Sequence, residues 1–171
     1  MGITVHFEGK LKNEAAYRGL IQVAENFASN RGWQMEHFAL PQVSLSRVRN
    51  EQDWNYEGPT KGIELHPHAS SEPVRLEFDE ELFIQEYTKT QYAPPEVHKD
   101  LVLLLDELTQ YFESIEIIDE GEYYETRDEE ILHEHRDNCF AMLNENLAND
   151  ETLRGPIRLP SGRIADLVRD A

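Results

Sequence analysis

The side chains best suited to chemistry lie within residues 61–91, KGIELHPHASSEPVRLEFDEELFIQEYTKTQ. Ile63 and Leu65 alternate with Glu64 and His66, and Val74, Leu76 and Phe78 alternate with Arg75, Glu77 and Asp79. That period of two predicts strands with one apolar and one polar face. Glu64, His66, Arg75 and Glu77 then share the polar face and are the candidate catalytic residues. Glu86 and Lys89 join them if the register of a third strand suits. Facing residues on neighbouring strands have β-carbons about 4.5–5.5 Å apart, so an imidazole, a guanidinium and two carboxylates can share one pocket. Such a group fits acid–base work or the holding of an anionic ligand in a guanidinium fork. The competing reading is a solvated sheet face laced with cross-strand charge pairs.

Two further sets have the residue types of metal ligands. His66 and His68 flank Pro67, and His98 follows at the start of a predicted helix; three imidazoles with one open position would suit hydrolytic zinc. Glu129, His133 and Asp137 recur at i, i+4 and i+8 and could hold a divalent cation, although such a stripe is more often a solvated helix face. His133 and His135 are two apart, whereas the helical zinc-protease pattern needs histidines four apart. His135 and Cys139 lie on the apolar side of the same helix and read as a core histidine beside a small hydrophobic thiol. The chain has no Gly-rich phosphate loop, nucleophile elbow, paired CxxC or calcium-loop spacing. No cofactor is therefore expected beyond that divalent metal.

These residues must be positioned by the rest of the chain. Ile3, Val5 and Phe7 predict a first strand, and Asn13 caps a helix that carries Tyr17, Leu20, Ile21, Ala24, Phe27 and Ala28 to a stop at Gly32. Gly19 inside that helix suggests a close approach to the sheet. Two short strands over 33–40 and 43–48 are expected to be separated by Pro41. Trp54 and Tyr56, in a polar loop, need either a place in the core or a ligand to stack on. Pro94, Pro95 and Glu96 start a helix expected to reach Ser114, and Ile115, Ile117 and Ile118 form a strand. Thr126 and Glu129 read as a capping box opening the last long helix. The tail, with Arg154, Arg158, Arg163 and Arg169, is expected to add an edge strand and a final helical turn. This order predicts one α+β domain over residues 1–171, with about six strands in a mainly antiparallel sheet and three helices mostly on one side.

Composition bounds the partners. With 34 acidic against 16 basic residues, the formal net charge of -18 repels nucleic acid and anionic membrane surfaces. No apolar run approaches the roughly 20 residues of a membrane span. Residues 106–151 contain only Arg127 and Arg136 as basic residues, a surface that can attract a basic partner or imitate a phosphate array. The start MGITVHFEGK reads as a strand, not a secretion signal. The lone Cys139 agrees with a reducing compartment. The expectation is a soluble, cytoplasmic, acidic interaction module that binds a protein partner or itself. The alternative is a metal-assisted hydrolase or small-ligand enzyme on the polar face of the 61–91 meander.

Overall fold

The computed structural model describes residues 2–170. Strand β1 (Thr4–Leu11) buries Val5, Phe7 and Leu11 and exposes His6 and Lys10, as its alternation requires. Helix α1 (Glu14–Arg31) starts where the Asn13 side chain accepts the Ala16 N–H at 2.8 Å and stops at Gly32, whose φ is 70°. The approach that demands Gly19 is not to the sheet. A β-carbon there would lie 2.5 Å from the Tyr111 ring, so the glycine accommodates a residue far along the chain.

Strand β2 (Gln34–Leu45) is continuous, where two strands broken at Pro41 were expected. The proline sits in a register shift between Leu40 and Val43 on an edge strand, where a missing N–H costs no ladder bond. Beyond it, β3 (Val48–Arg49) and β4 (Gln52–Asp53) form a hairpin. Its turn residues Asn50 and Glu51 have φ of 51° and 62°, the sign that the twist of a two-residue hairpin turn requires. Strands β5 (Tyr56–His66), β6 (Val74–Phe78) and β7 (Phe83–Lys89) are the three consecutive strands read from the 61–91 pattern.

Helix α2 (Pro95–Leu108) ends earlier than expected. A 3-10 turn (Thr109–Tyr111) follows, and β8 (Phe112–Asp119) takes over the residues whose helical spacing had extended the pattern. Pairing of Phe112 with Leu11 and Ser114 with Lys10 outweighs local preference. After the short α3 (Tyr123–Thr126), α4 (Glu129–Asn149) is capped by Asp128, which accepts the Glu130 N–H, while the Thr126 hydroxyl accepts the Asp128 N–H. The expected capping box is thus displaced by two residues. In the tail, β9 (Leu153–Arg154) pairs with β12 (Val168–Arg169), and β10 (Ile157–Arg158) with β11 (Ile164–Ala165). The expected terminal helical turn is absent among the described residues.

The principal strands form two antiparallel sheets, β2-β5-β6 and β7-β1-β8. They meet at β6 and β7, tied at the two ends by Asp79 N–H to Phe83 O and Glu72 N–H to Lys89 O. The class is α+β with antiparallel pairing, as the sequence predicts, but the single expected sheet is split in two and the 61–91 meander is divided between them, β5 and β6 in one and β7 in the other. Among the described residues the twelve strands and four α-helices exceed the expected counts because short ladders in the ribbon tip and tail carry too few residues to show a period. Helices α1 and α2 cover one face, and Leu20, Phe27, Leu101 and Leu105 meet Phe7, Ile63, Leu76 and Ile84 in the core. Helix α4 stays outside that core: only Leu132 and Leu143 on it are buried, and Met142 is exposed. No described helix is long and apolar enough to cross a membrane.

Candidate functional site on the outer sheet face

Strand parity places Glu64, His66, Arg75 and Glu77 together on the face turned away from α1 and α2. Glu64 lies opposite Arg75, Gly62 opposite Glu77, and Gln34 opposite His66. The Arg75 guanidinium is committed on both sides: Nη1 donates to Glu64, and Nε donates to Glu77 Oε1 at 2.9 Å. Glu77 is only 4% exposed, and its other oxygen accepts the Thr60 hydroxyl at 2.6 Å. The Phe38 ring stacks on Arg75 at 4.1 Å. These two carboxylates hold the Arg75 proton more tightly than usual, more than offsetting the opposing effect of its burial. A guanidinium so engaged is a structural fork with no free edge for an anion.

His66 stands 3.3 Å from Glu64 Oε1. With Glu36, which the sequence reading omitted although Glu36 faces Glu64 in the ladder, it forms a group whose ligand atoms all lie within 4.8 Å of one another. The proposed partners of His66 do not join it. His68 lines the same shallow cavity as His66, but its Nδ1 accepts the Ser70 N–H. His98 is fully buried elsewhere, between the Thr90 hydroxyl at 2.6 Å and Asp119 Oδ2 at 2.9 Å. It sits inside the start of α2 and cannot complete a zinc triad on the sheet face. Glu129, His133 and Asp137 are exposed on α4, and Glu129 pairs with Lys99. Their ligand atoms do not converge among the described residues. His135 is half-buried and paired with Glu122, so it is not the core histidine expected.

The larger concavity on this face lies over the second sheet and has a volume of about 560 Å³. Its floor comes from the outward residues of β1 and its neighbours: His6 lies opposite both Tyr87 and Ile118, and Glu8 lies opposite both Gln85 and Glu116. Ser44, Leu45 and Ser46 bound one side, and Glu77, Glu86 and Arg163 another. The β2–β5 ribbon reaches this position because its tip docks on β7. Arg47, 3% exposed, donates to Asp79 Oδ2 at 2.7 Å, and the Gln85 amide bonds both the N–H and the carbonyl of Val48. Trp54 packs edge-on against Phe83 at 4.8 Å and carries the Arg49 guanidinium on its face. Trp54 therefore fastens the ribbon tip, and Tyr56 donates its hydroxyl to the Pro59 carbonyl at 2.8 Å.

The charge in the cleft is unevenly compensated. Glu86 pairs with Arg163 at 2.6 Å, yet burial still pushes its carboxyl above the usual carboxylate range, with Glu77 adding to the rise. Among the described residues Glu8 accepts only the Gln85 amide, at 2.7 Å. Glu116, directly across the ladder from Glu8, is exposed and has no ion-pair partner among the described residues. Lys89, expected on the catalytic face, is held by Asp166 and the Ile164 carbonyl of the tail. Of these residues the sequence reading named Glu86, and the ladder sets it opposite buried Phe7, on the other parity from Glu8. Glu116 and Arg163 were not placed here, because nothing local says that β8 and the tail flank β1 and β7. The chain matches no protein-family model, no curated protein and no solved structure, so the functional reading rests on this arrangement and its chemistry.

Proposed function

We propose that the protein is a non-catalytic binding module whose outer-face cleft takes a positively charged segment of a partner protein. The carrying observation is Glu8 facing Glu116 across the β1–β8 ladder, neither of them in an ion pair among the described residues, with the Arg49 side chain lining the hollow beside them. Like charges directly opposite on neighbouring strands destabilise a sheet, and a bound ammonium or guanidinium relieves that repulsion. Exposed Tyr87 and Ile118 beside the pair offer apolar contact to the same ligand. The volume falls in the range of small-ligand and side-chain pockets, roughly 300–1,000 Å³. The net charge of -18 favours a basic partner over a second copy of this chain or nucleic acid. The lone, half-buried Cys139 fits a cytoplasmic setting.

The test is fluorescence anisotropy with a labelled hexa-arginine peptide. Binding is expected at low salt, weaker as salt rises, and about tenfold weaker for the Glu8→Gln, Glu116→Gln double variant, roughly 1.4 kcal/mol. Glu134→Gln with Glu145→Gln, on the exposed face of α4, should leave it unchanged. Equal loss in both double variants would show diffuse attraction and refute the cleft.

A second reading, a metal-assisted hydrolase working at His66 with Glu77 and Arg75, is favoured by the convergence of Glu36, Glu64 and His66. Arg75 opposes it, since its guanidinium already occupies Glu64. Under this reading zinc binds stoichiometrically, His66→Ala abolishes binding and Arg75→Ala tightens it by freeing Glu64. Calorimetric titration that finds no zinc uptake by either the wild type or Arg75→Ala removes it.

A further inference from the structure

We infer that Glu86, Tyr87 and Glu72 form a guanidinium subsite at the edge of the cleft, that Arg163 of the tail occupies it as an internal ligand, and that an arginine of the partner replaces Arg163 there. This rests on the cleft reading above and specifies the side chain that the partner must bring.

The arrangement around Arg163 has the components of guanidinium recognition. Its Nη2 donates to Glu86 Oε2 at 2.6 Å, and its Nη1 donates to the Tyr87 carbonyl at 2.6 Å. Glu72 Oε1 stands 3.5 Å from Nη1, and the Tyr87 ring lies 3.9 Å from the guanidinium carbon. A carboxylate, a carbonyl and an aromatic face converge on a planar cation, a set that suits the arginine fork and not the compact ammonium of lysine. Glu72 does not depend on Arg163: it also accepts the backbone N–H groups of Lys89 and Ile164, both at 2.8 Å. Those bonds, with Lys89 to Asp166 and Tyr92 to Asp166, hold the tail without help from the Arg163 side chain.

The Arg163 side chain is 26% exposed, so it can swing out to solvent while the backbone stays docked. Glu86, at 12%, cannot follow it and would be left as a poorly solvated carboxylate. A cation in the place that Arg163 vacates would keep that carboxylate paired. Because Arg163 is tethered, its effective concentration is millimolar or above, and it lowers the apparent affinity of any competitor by the vacant fraction. Free arginine cannot overcome that competition. A partner that also engages Glu8 and Glu116 can.

The experiment titrates N-acetyl-arginine amide and N-acetyl-lysine amide into the full chain by two-dimensional NMR, for wild type, Arg163→Gln and Arg163→Lys. Arg163→Gln is expected to bind the arginine probe at least tenfold more tightly than wild type. The shifts should centre on the Tyr87 amide, with clear preference over the lysine probe, and adding Glu86→Gln should remove the gain. Arg163→Lys, which keeps the charge and loses the fork, should show a smaller gain in the same order and serves as the measure if Arg163→Gln unfolds. Unchanged affinity in the folded variants, or equal binding of the two probes, would make Arg163 a structural clamp and overturn the inference. If hexa-arginine fails to bind the wild type while Arg163→Gln takes the arginine probe, the subsite stands and the cleft as a partner site falls.

Discussion

Asp119 shows how completely one carboxylate can be committed. Its oxygens accept from His98 Nε2, from the Tyr124 N–H at 2.8 Å and from the Gly121 N–H at 2.8 Å. Burial alone would push its carboxyl up, but the His98 bond, the His98 charge interaction and the two N–H donors outweigh it and hold the group below its ordinary value. The folded protein therefore keeps Asp119 ionised at a lower pH than the unfolded chain does. Its stabilisation is complete above the unfolded value, about 3.9, and is lost as pH falls through the lower folded value. Asp119→Asn should cost about 3 kcal/mol at neutral pH in urea denaturation and should flatten the loss of stability below about pH 4. An unchanged acid limb in Asp119→Asn would contradict this assignment. Arg75 is the matching case on the sheet face. Arg75→Ala leaves Glu77, 4% exposed, with only the Thr60 hydroxyl, and should cost about 3–5 kcal/mol. Glu64→Gln, which retains the Glu77 contact, should cost less in the same measurement.

At the scale of elements, the cleft exists because a long ribbon folds back on the sheet. Arg47 joins the tip to Asp79, and Asp79 in turn accepts the N–H groups of Glu81 and Phe83 in the β6–β7 turn. One buried carboxylate thus serves two elements. Arg47→Met should release protection of residues 44–54 in hydrogen exchange and lower stability by about 3–5 kcal/mol through the unpaired Asp79. The β6–β7 turn should hold its protection, because its own bonds to Asp79 remain. The β5–β6 pairing depends on Gly62, where an added β-carbon would lie 1.7 Å from the Leu76 carbonyl and 3.1 Å from the Phe38 ring. Gly62→Ala should disrupt the stacking of Phe38 on Arg75 and destabilise the fold by more than the roughly 1 kcal/mol of an ordinary substitution. A melting temperature equal to wild type would show that the strands can separate without loss.

For the whole molecule, the excess of 34 acidic over 16 basic residues makes self-repulsion a standing cost to the compact state. Raising sodium chloride from about 0.05 to 0.5 M shortens the screening length from about 14 to about 4 Å. The melting temperature is therefore expected to rise with salt, while binding of a basic peptide weakens. Opposite responses of folding and binding to one variable separate the two roles of the acidic surface. If both weaken together, the ion pairs that hold the tail and ribbon, not the general repulsion, control stability.

Local periodicity carried the parts of this protein that depend on one segment at a time. The caps at Asn13 and Gly32, the alternation that puts Glu64, His66, Arg75 and Glu77 on one side, and the antiparallel α+β class follow from spacing and residue type. A strand's parity is fixed along its own length, and one apolar face must be buried. What spacing does not encode is which segments become neighbours. Tertiary structure withdrew His98 into a bond with Asp119, turned residues 112–114 from helix to strand, and set Gly19 against Tyr111. It also brought Arg163 to Glu86 and Glu116 to Glu8, pairs separated by 77 and 108 positions. The charges that define the cleft are brought together by sheet order and tail docking. Those are products of burying the core as a whole, which no window of sequence contains.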